Sequence, residues 1–325
     1  DLGHKTVVVH SGAFAKFVGR FDMVVHIGED NSDPTKRSEI TAFSYKTIPI
    51  DSTIDPDPKV AELLLPYSLE LNEEINLDGV FAYVNNPGVS KIVRNDPSGG
   101  DSQLGSMTAR SMQVRTGVEA DFALTNSLGI RADFEQGPLT IEQMFNVFPF
   151  ENSITVMYLS GTEVQEMLDF VARKSAGRGC RTQAQVAGIW FDMVCSGDCP
   201  GDATACAKNV YLGENCRGGD SGGPIDPSMC APLEETGLYK VAVNDYIAAG
   251  GSGFDVLERN TSKQNTGVSL RDALIDYLRG QPPCADDVID QTSADSETVV
   301  DRWGHIACLD QTTEPHDGRI RPVFE

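Results

Sequence analysis

Positive charge, histidine and long apolar runs are all scarce in this sequence, and two of these shortages exclude a class of protein. The 26 lysines and arginines are outnumbered by 48 aspartates and glutamates, which leaves a formal net charge of -22. Phosphate backbones are bound by clusters of basic side chains, so we expect no nucleic acid polymer as a partner. No apolar run approaches the ~18 residues that a transmembrane helix needs. We therefore expect no membrane span.

Cysteine, in contrast, is plentiful. Eight cysteines occur, and five of them lie in the stretch from Cys195 to Cys230, which is also rich in Gly, Asp and Asn. A metal site is the alternative, but this stretch holds no Cys-x-x-Cys pair and no histidine. The even number favours disulfides and an oxidising compartment, periplasmic or extracellular. Of the roughly 105 possible pairings we predict one, Cys284 with Cys308, which would stabilise the fold by about 3 kcal/mol.

The hydrophobic pattern indicates an α/β fold, a mixed sheet with packed helices. Residues 6–9 and 21–25 are strand-like, and a helix is expected over 57–75, capped by Asp57 and kinked or split at Pro66. Capping boxes at 140–143 and 160–163 each predict the start of a helix. Further helices are predicted at 103–114 and 268–278, and strands at 120–125, 154–159, 186–194, 208–212 and 239–243.

Three blocks along the chain carry side chains suited to a planar, polar ligand. The first, 124–131, contains Asn126 and Arg131 on either side of a short turn. Phe150 follows, and Tyr246 stands before a Gly250-Gly251-Ser252 loop. A guanidinium offers a planar fork to a phosphate or a ribose edge, and aromatic faces stack on bases of any kind.

The order and spacing of these blocks resemble the C-terminal substrate-binding domain of the 5′-nucleotidase family, which includes bacterial UDP-sugar hydrolases and ecto-5′-nucleotidases. The resemblance implies that Phe150 and Tyr246 hold the base on two sides. It also places Gly188 near the base. Ser252 departs from the family's usual Gly-Gly-Asp-Gly loop, in which the Asp accepts hydrogen bonds from the ribose. The substrate-binding residues implied are Asn126, Arg131, Phe150, Gly188, Tyr246, Gly250, Gly251 and Ser252.

The resemblance also implies a domain organisation. Residues 1–50 are similar to the end of the family's metallophosphatase domain, 51–76 to its connector helix and 77–325 to the substrate-binding domain, with disulfide-rich insertions at 195–230 and 284–308. The divalent metal pair and the catalytic groups would then belong to the N-terminal catalytic domain, which would be this domain's partner. We therefore assign no catalytic residue, metal ligand or cofactor here, and expect the chain alone not to hydrolyse phosphoesters.

The sequence thus predicts the nucleotide-recognition domain of a secreted 5′-nucleotidase-like hydrolase of nucleotide catabolism, with a nucleoside or nucleotide as ligand. One alternative is a stand-alone or degenerate ligand-binding module without catalysis, since Ser252 replaces the family's carboxylate. A more distant alternative is a serine protease, because residues 219–224 read Gly-Asp-Ser-Gly-Gly-Pro. That chemistry needs a His and an Asp from earlier in the chain, and neither has the required context.

Overall fold

The structure is a computed structural model that describes the chain apart from residues 1–6, 13–15, 31, 34–35, 52, 87, 89–90, 198, 219–222, 285–305, 315–316 and 325. The chain divides into two compact units, Asp1–Leu71 and Asn72–Glu325. Within the described residues, no helix is both long enough and apolar enough to cross a bilayer.

The helices and strands are labelled in chain order. The helices are α1 Pro58–Ile75, α2 Gln103–Gln113, α3 Ile141–Val147, α4 Gly161–Ala176, α5 Asp245–Ala248, α6 Asp255–Glu258 and α7 Leu270–Arg279. The strands are β1 Phe17–His26, β2 Glu39–Pro49, β3 Val80–Val84, β4 Lys91–Ile92, β5 Phe122–Asn126, β6 Phe134–Glu135, β7 Gly137–Thr140, β8 Ser153–Ser160, β9 Ala184–Ala187, β10 Ile189–Ser196, β11 Cys206–Leu212, β12 Ala231–Pro232, β13 Leu238–Asn244, β14 Gln264–Ser269, β15 Ala307–Leu309 and β16 Ile320–Phe324.

The first unit contains an antiparallel hairpin, β1 paired with β2. The predicted strand at 21–25 lies within β1, whereas β2 was not predicted. The strand predicted at 6–9 is wrong for residues 7–9, which form no strand, and residue 6 lies outside the described residues. The hairpin's one aromatic pair in the described residues joins Phe21 and Phe43, whose ring centroids are 5.9 Å apart.

Helix α1 begins where the sequence predicted. The Oδ1 atom of Asp57 accepts hydrogen bonds from the backbone N–H groups of Lys59 and Val60, at 2.9 and 3.2 Å. The helix then runs unbroken past Pro66, so the predicted split at this proline is wrong. None of its residues is buried, although many of its side chains are apolar.

A five-stranded sheet, in the order β14-β8-β13-β5-β9, divides the interior of the second unit. Strands β5 and β13 are parallel, and the other neighbours are antiparallel. Side chains alternate between the two faces of a strand, so Ala123 packs into one hydrophobic core while Phe122 and Leu124 pack into the other. Residues of α2 and α7 complete the first core, and residues of α4 complete the second.

Smaller sheets surround this centre. Their strand orders are β12-β11-β10-β16, β15-β3-β7 and β4-β6. Both predicted capping boxes are confirmed, with Thr140 at the start of α3 and Ser160 at the start of α4. Helix α7 begins two residues later than predicted, because Ser269 still belongs to β14 and accepts a hydrogen bond from the N–H of Asp272.

Every cysteine is in a disulfide: Cys180–Cys195, Cys199–Cys206, Cys216–Cys230 and Cys284–Cys308. The predicted pairing of Cys284 with Cys308 is confirmed, and the alternative of a cysteine metal site is wrong. Trp190 packs against the Cys216–Cys230 bridge, and its indole N–H donates to the carbonyl of Gly213 at 2.8 Å.

Arg217 holds the disulfide-rich insertion to the rest of the unit. Its buried guanidinium donates to Asp192 at 2.9 Å and to the carbonyls of Gly223 and Gly318, each at 2.6 Å. Arg321 donates to the same carboxylate twice, at 2.8 Å. Burial by itself would raise the pKa of Asp192, but the hydrogen bonds from Arg321, Asn209 and Arg217 outweigh it and hold the pKa below its usual range.

Candidate functional site

A pocket of about 370 Å³ opens at one end of the central sheet. Asn126 is the last residue of β5 and Asn244 the last of β13, and because these strands are parallel neighbours their carboxyl ends meet at the same edge. Five of the eight predicted binding residues line the pocket, together with three others. The lining residues are Asn126, Leu128, Gly129, Arg131, Phe150, Asn152, Tyr246 and Ser252.

Two aromatic side chains give the pocket its apolar surface. Phe150 and Tyr246 are each 49% exposed, whereas Phe148, two residues before Phe150, is 4% exposed and belongs to the core. Half-exposed rings in a pocket leave aromatic faces available to a planar ligand.

The loop formed by Gly250, Gly251 and Ser252 packs against the side chain of Tyr246. A Cβ atom added to Gly251 would lie 2.4 Å from the carbonyl oxygen of Tyr246 and 2.6 Å from its ring, so only glycine allows this approach. The Tyr246 hydroxyl accepts a hydrogen bond from the N–H of Ser252 at 3.1 Å. Gly250 has a φ of 83°, in the left-handed region that favours glycine. Gly250 and Gly251 therefore position the aromatic ring and Ser252 and are not themselves among the lining residues.

Asn126 is buried at the base of the pocket. Its Oδ1 atom accepts a hydrogen bond from Nδ2 of Asn244 at 2.8 Å, and Asn244 also donates to Thr125 at 2.9 Å. Asn244 caps α5 by accepting from the N–H of Ile247 at 3.0 Å. The position of Asn126 is thus fixed by the residue that starts α5.

Arg131 lies beside Phe150. Its guanidinium carbon is 5.9 Å from the centroid of the Phe150 ring, and Nη1 donates to the carbonyl of Leu128 at 3.0 Å. Its backbone N–H donates to the carbonyl of Val147 at 2.8 Å, which ties the 126–131 turn to the segment carrying Phe150. A half-buried guanidinium next to an aromatic face is suited to an anionic group attached to a stacked ring.

The comparisons with known proteins identify the family of this chain. A family model described as "5'-nucleotidase, C-terminal domain" matches residues 80–259. The chain belongs to this 5′-nucleotidase C-terminal domain family. It is 28% identical over 291 residues to the 5′-nucleotidase of Vibrio vulnificus, an alignment that covers 87% of this chain and 46% of that protein. It is also 26% identical over 301 residues to protein UshA of Yersinia enterocolitica, covering 87% of this chain and 47% of the relative.

A solved structure of the family shows the same fold. The 5′-nucleotidase precursor of Thermus thermophilus superposes with a TM-score of 0.63 and 22% identity, over 95% of this chain and 50% of that protein. The mixed α/β fold predicted from the sequence is confirmed. The chain spans about half the length of these relatives.

Gly188, to which the family resemblance gave a place near the base, is not among the lining residues. It stands between β9 and β10 with a φ of 76°, and splits the strand predicted at 186–194 in two. An added Cβ atom would lie 2.3 Å from Nε2 of Gln113 and 2.6 Å from the carbonyl oxygen of Asp121. Backbone conformation and close packing account for this glycine without a ligand.

Two glycines, Gly99 and Gly100, precede α2, and close packing leaves no room for a side chain at either position. Gly99 has a φ of 87°, and a Cβ atom there would lie 2.5 Å from the carbonyl oxygen of Cys180. At Gly100 the corresponding distance, to the carbonyl oxygen of Ile320, is 2.3 Å. Nearby, Arg94 donates from Nη1 to the carbonyl of Ile130 at 2.6 Å and so supports the turn before Arg131.

Asn152 is a lining residue that the sequence analysis did not identify. Its Nδ2 atom donates to Oδ1 of Asp245 at 2.7 Å, a contact between residues 93 positions apart. The only local signal is its place two residues after Phe150. In the part of the chain that the structure describes, no three His, Cys, Asp or Glu side chains are grouped as a metal would require.

Proposed function

We propose that this chain is the nucleotide-recognition domain of a 5′-nucleotidase-like hydrolase that acts in the periplasm or outside the cell. The observation that carries the proposal is the pocket in which half-exposed Phe150 and Tyr246 accompany Arg131. The four disulfides support an oxidising compartment.

The expected ligand is a nucleoside or nucleotide. A cavity of about 370 Å³ is within the usual range for small-molecule sites. The base stacks on Phe150 and Tyr246, Ser252 faces the ribose, and Arg131 binds the phosphate or the ribose edge. The interactions are of the kind that tolerate many bases, which suits nucleotide catabolism.

The hydrolysis itself belongs to the metal pair of a metallophosphatase domain, this domain's own catalytic partner. Residues 1–50 are proposed to be the end of that domain, 51–76 the connector helix, and 77–325 the recognition domain with its insertions at 195–230 and 284–308. Two of the relatives that this chain matches over about half their length are named 5′-nucleotidase, which supports the assignment.

Comparing AMP with adenosine tests the proposal. If Arg131 binds the phosphate, AMP binds about tenfold more tightly than adenosine, and Arg131→Gln removes the difference. Arg259→Gln is the matched control, because Arg259 forms an exposed ion pair with Glu166 away from the pocket. Isothermal titration supplies the dissociation constants. A chain that binds neither ligand would overturn the proposal.

A second candidate function is a stand-alone or degenerate ligand-binding module. Ser252 in place of the family's carboxylate favours it. Assays of AMP and UDP-sugar hydrolysis with Zn²⁺, Mn²⁺ or Co²⁺ separate the candidates. We expect no turnover by this chain alone, and turnover after addition of a family metallophosphatase domain supports the hydrolase. Chelator-sensitive turnover by the chain alone would contradict the placement of the chemistry elsewhere.

The serine protease alternative depends on Ser221, which lies outside the described residues. The described neighbour Gly223 accepts hydrogen bonds from Arg217 and Arg321. These contacts give the end of the Gly-Asp-Ser-Gly-Gly-Pro stretch a structural role. Labelling by a serine-directed phosphonate tests the alternative, and we expect none.

A further inference from the structure

We propose that a second pocket, the arginine pocket, binds a phosphate group, either as the free anion or on a small organic molecule. It is lined by Arg115, Arg271 and Arg279 together with acidic and apolar residues, and has a volume of about 430 Å³. Among the described residues, none that lines it also lines the pocket of Phe150 and Tyr246. The inference therefore does not depend on nucleotide binding.

Helix α7 supplies most of the polar lining of the arginine pocket. Arg271, Ile275 and Arg279 are spaced four residues apart, so they lie along one face of the helix. Arg115 follows the C-terminal end of α2 and forms an ion pair with Asp276 of α7. Cationic groups from two segments of the chain thus border one cavity.

The guanidinium of Arg271 is stacked on an aromatic ring of α3. Its central carbon lies 3.6 Å from the centroid of the Phe145 ring, a distance at which the guanidinium has to lie flat on the ring. A stacked guanidinium keeps its N–H groups in a plane parallel to the ring, where they remain able to bind an oxyanion. Stacking on Phe145 thus fixes the direction of the donors without using them.

Burial deprives this guanidinium of an acceptor. The Nε atom of Arg271 is buried and has no hydrogen-bond partner within the described part of the chain. Burial lowers the pKa of Arg271, and the charges of Asp272 and Glu151 offset only part of that effect. Arginine nonetheless keeps its proton in proteins, so the side chain is a partly desolvated cation. A bound anion would supply the acceptor that the Nε–H group lacks.

The charge of the lining favours an anion. Three arginines and two aspartates, Asp272 and Asp276, line the arginine pocket, in a chain whose formal net charge is -22. A local excess of positive charge concentrates anions that the rest of the surface repels. Because the donors come from both α7 and the segment after α2, they suit the several oxygens of a tetrahedral phosphate better than the two coplanar oxygens of a carboxylate. The cavity volume leaves room for an organic group beside the phosphate.

Titration with inorganic phosphate, followed by NMR of the isotope-labelled protein, tests the proposal. The readout is the Nε–H signal of Arg271, which is identified by its absence from the Arg271→Lys variant. We expect this signal to shift and to saturate with sodium phosphate, and to stay in place with sodium chloride of equal ionic strength. Arg271→Gln removes charge-assisted hydrogen bonds and should weaken phosphate binding at least about tenfold, measured on the backbone signals of α7.

Two further variants and a second ligand sharpen the test. Arg259→Gln is the matched control, because it changes the net charge equally and Arg259 is paired with Glu166 outside the arginine pocket; it should keep the wild-type dissociation constant. Arg271→Lys keeps the charge without the planar fork and should bind phosphate more weakly than the wild-type protein. Glycerol phosphate distinguishes the two sources of the group. Tighter binding than that of inorganic phosphate assigns the pocket to a phosphorylated small molecule, and equal or weaker binding assigns it to the free anion.

Three results would overturn the proposal. The first is an Arg271 signal that phosphate leaves in place, or that chloride shifts equally, since the latter reports screening alone. The second is phosphate binding that is unchanged in Arg271→Gln, which would locate the anion elsewhere. The third is tighter binding of succinate than of phosphate, which would assign the pocket to carboxylates. If phosphate binds here while AMP does not bind the protein at Arg131, the proposed function fails and this inference stands.

Discussion

Replacing Tyr246 by alanine tests the stacking surface directly. The side chain is 49% exposed in the pocket, and one aromatic–base contact contributes about 1–3 kcal/mol. Two such contacts, less the entropy of association, give an expected affinity for adenosine in the millimolar to high-micromolar range. Tyr246→Ala should weaken this binding about 5- to 150-fold, the range that corresponds to losing one contact.

The loop that rests on Tyr246 makes controls necessary. Tyr246→Phe keeps the ring on which Gly251 packs and removes only the hydroxyl that accepts from Ser252, so we expect a change of less than about fivefold. Tyr158→Ala removes a tyrosine of nearly equal exposure, 48%, that is absent from the lining of the pocket, and should leave binding unchanged. Adenosine titrations, followed by NMR chemical shifts, supply the dissociation constants. Identical curves for Tyr246→Ala and wild-type would refute the stacking assignment.

Substitutions at Ser252, Arg217 and Asp317 test the sugar contact, a buried ion pair and a buried carboxylate. Ser252→Asp should tighten ribosides more than 2′,3′-dideoxynucleosides, because only a diol can donate twice to the carboxylate; equal effects would show that the loop does not face the sugar. Arg217→Ala should lower the free energy of unfolding in urea by about 3–5 kcal/mol, because the buried carboxylate of Asp192 then loses one of its two guanidinium partners. A loss below about 1 kcal/mol would contradict this. Burial raises the pKa of Asp317 to about 6 despite Arg319, so the folded state binds a proton more tightly than the unfolded state, and stability should fall by about 2 kcal/mol between pH 4 and pH 6. Asp317→Asn should remove that fall, and an unchanged pH dependence of its urea unfolding would count against the assignment.

The sequence predicted those site residues that can be recognised from their own side-chain type and their order along the chain. Arg131, Phe150 and Tyr246 could be identified because their side-chain types occur in a recognisable order, and the structure places all three in one pocket. Asn152 could not, because an asparagine is common and its usefulness depends on Asp245, which is 93 positions further along the chain.

In the fold, too, the sequence predicted the features that depend on neighbouring residues and missed those that depend on distant ones. Capping boxes confined to four residues predicted the starts of α3 and α4 correctly. The strand predicted at 186–194 was wrong as a single element, because Gly188 interrupts it with a φ of 76°, and Gln113 and the carbonyl of Asp121 leave room only for glycine there. These neighbours are close in space and distant in sequence, so no local pattern could reveal them.

The order of the disulfides has a consequence for how the chain matures. Each cysteine is joined to the next one along the chain, with separations of 7 to 24 residues, and no bridge encloses or crosses another. A chain that is threaded through a translocation pore and oxidised as it emerges would meet its correct partners first. Chain entropy also favours the closure of such short loops over long ones. Maturation should therefore require an oxidant but little reshuffling by a disulfide isomerase.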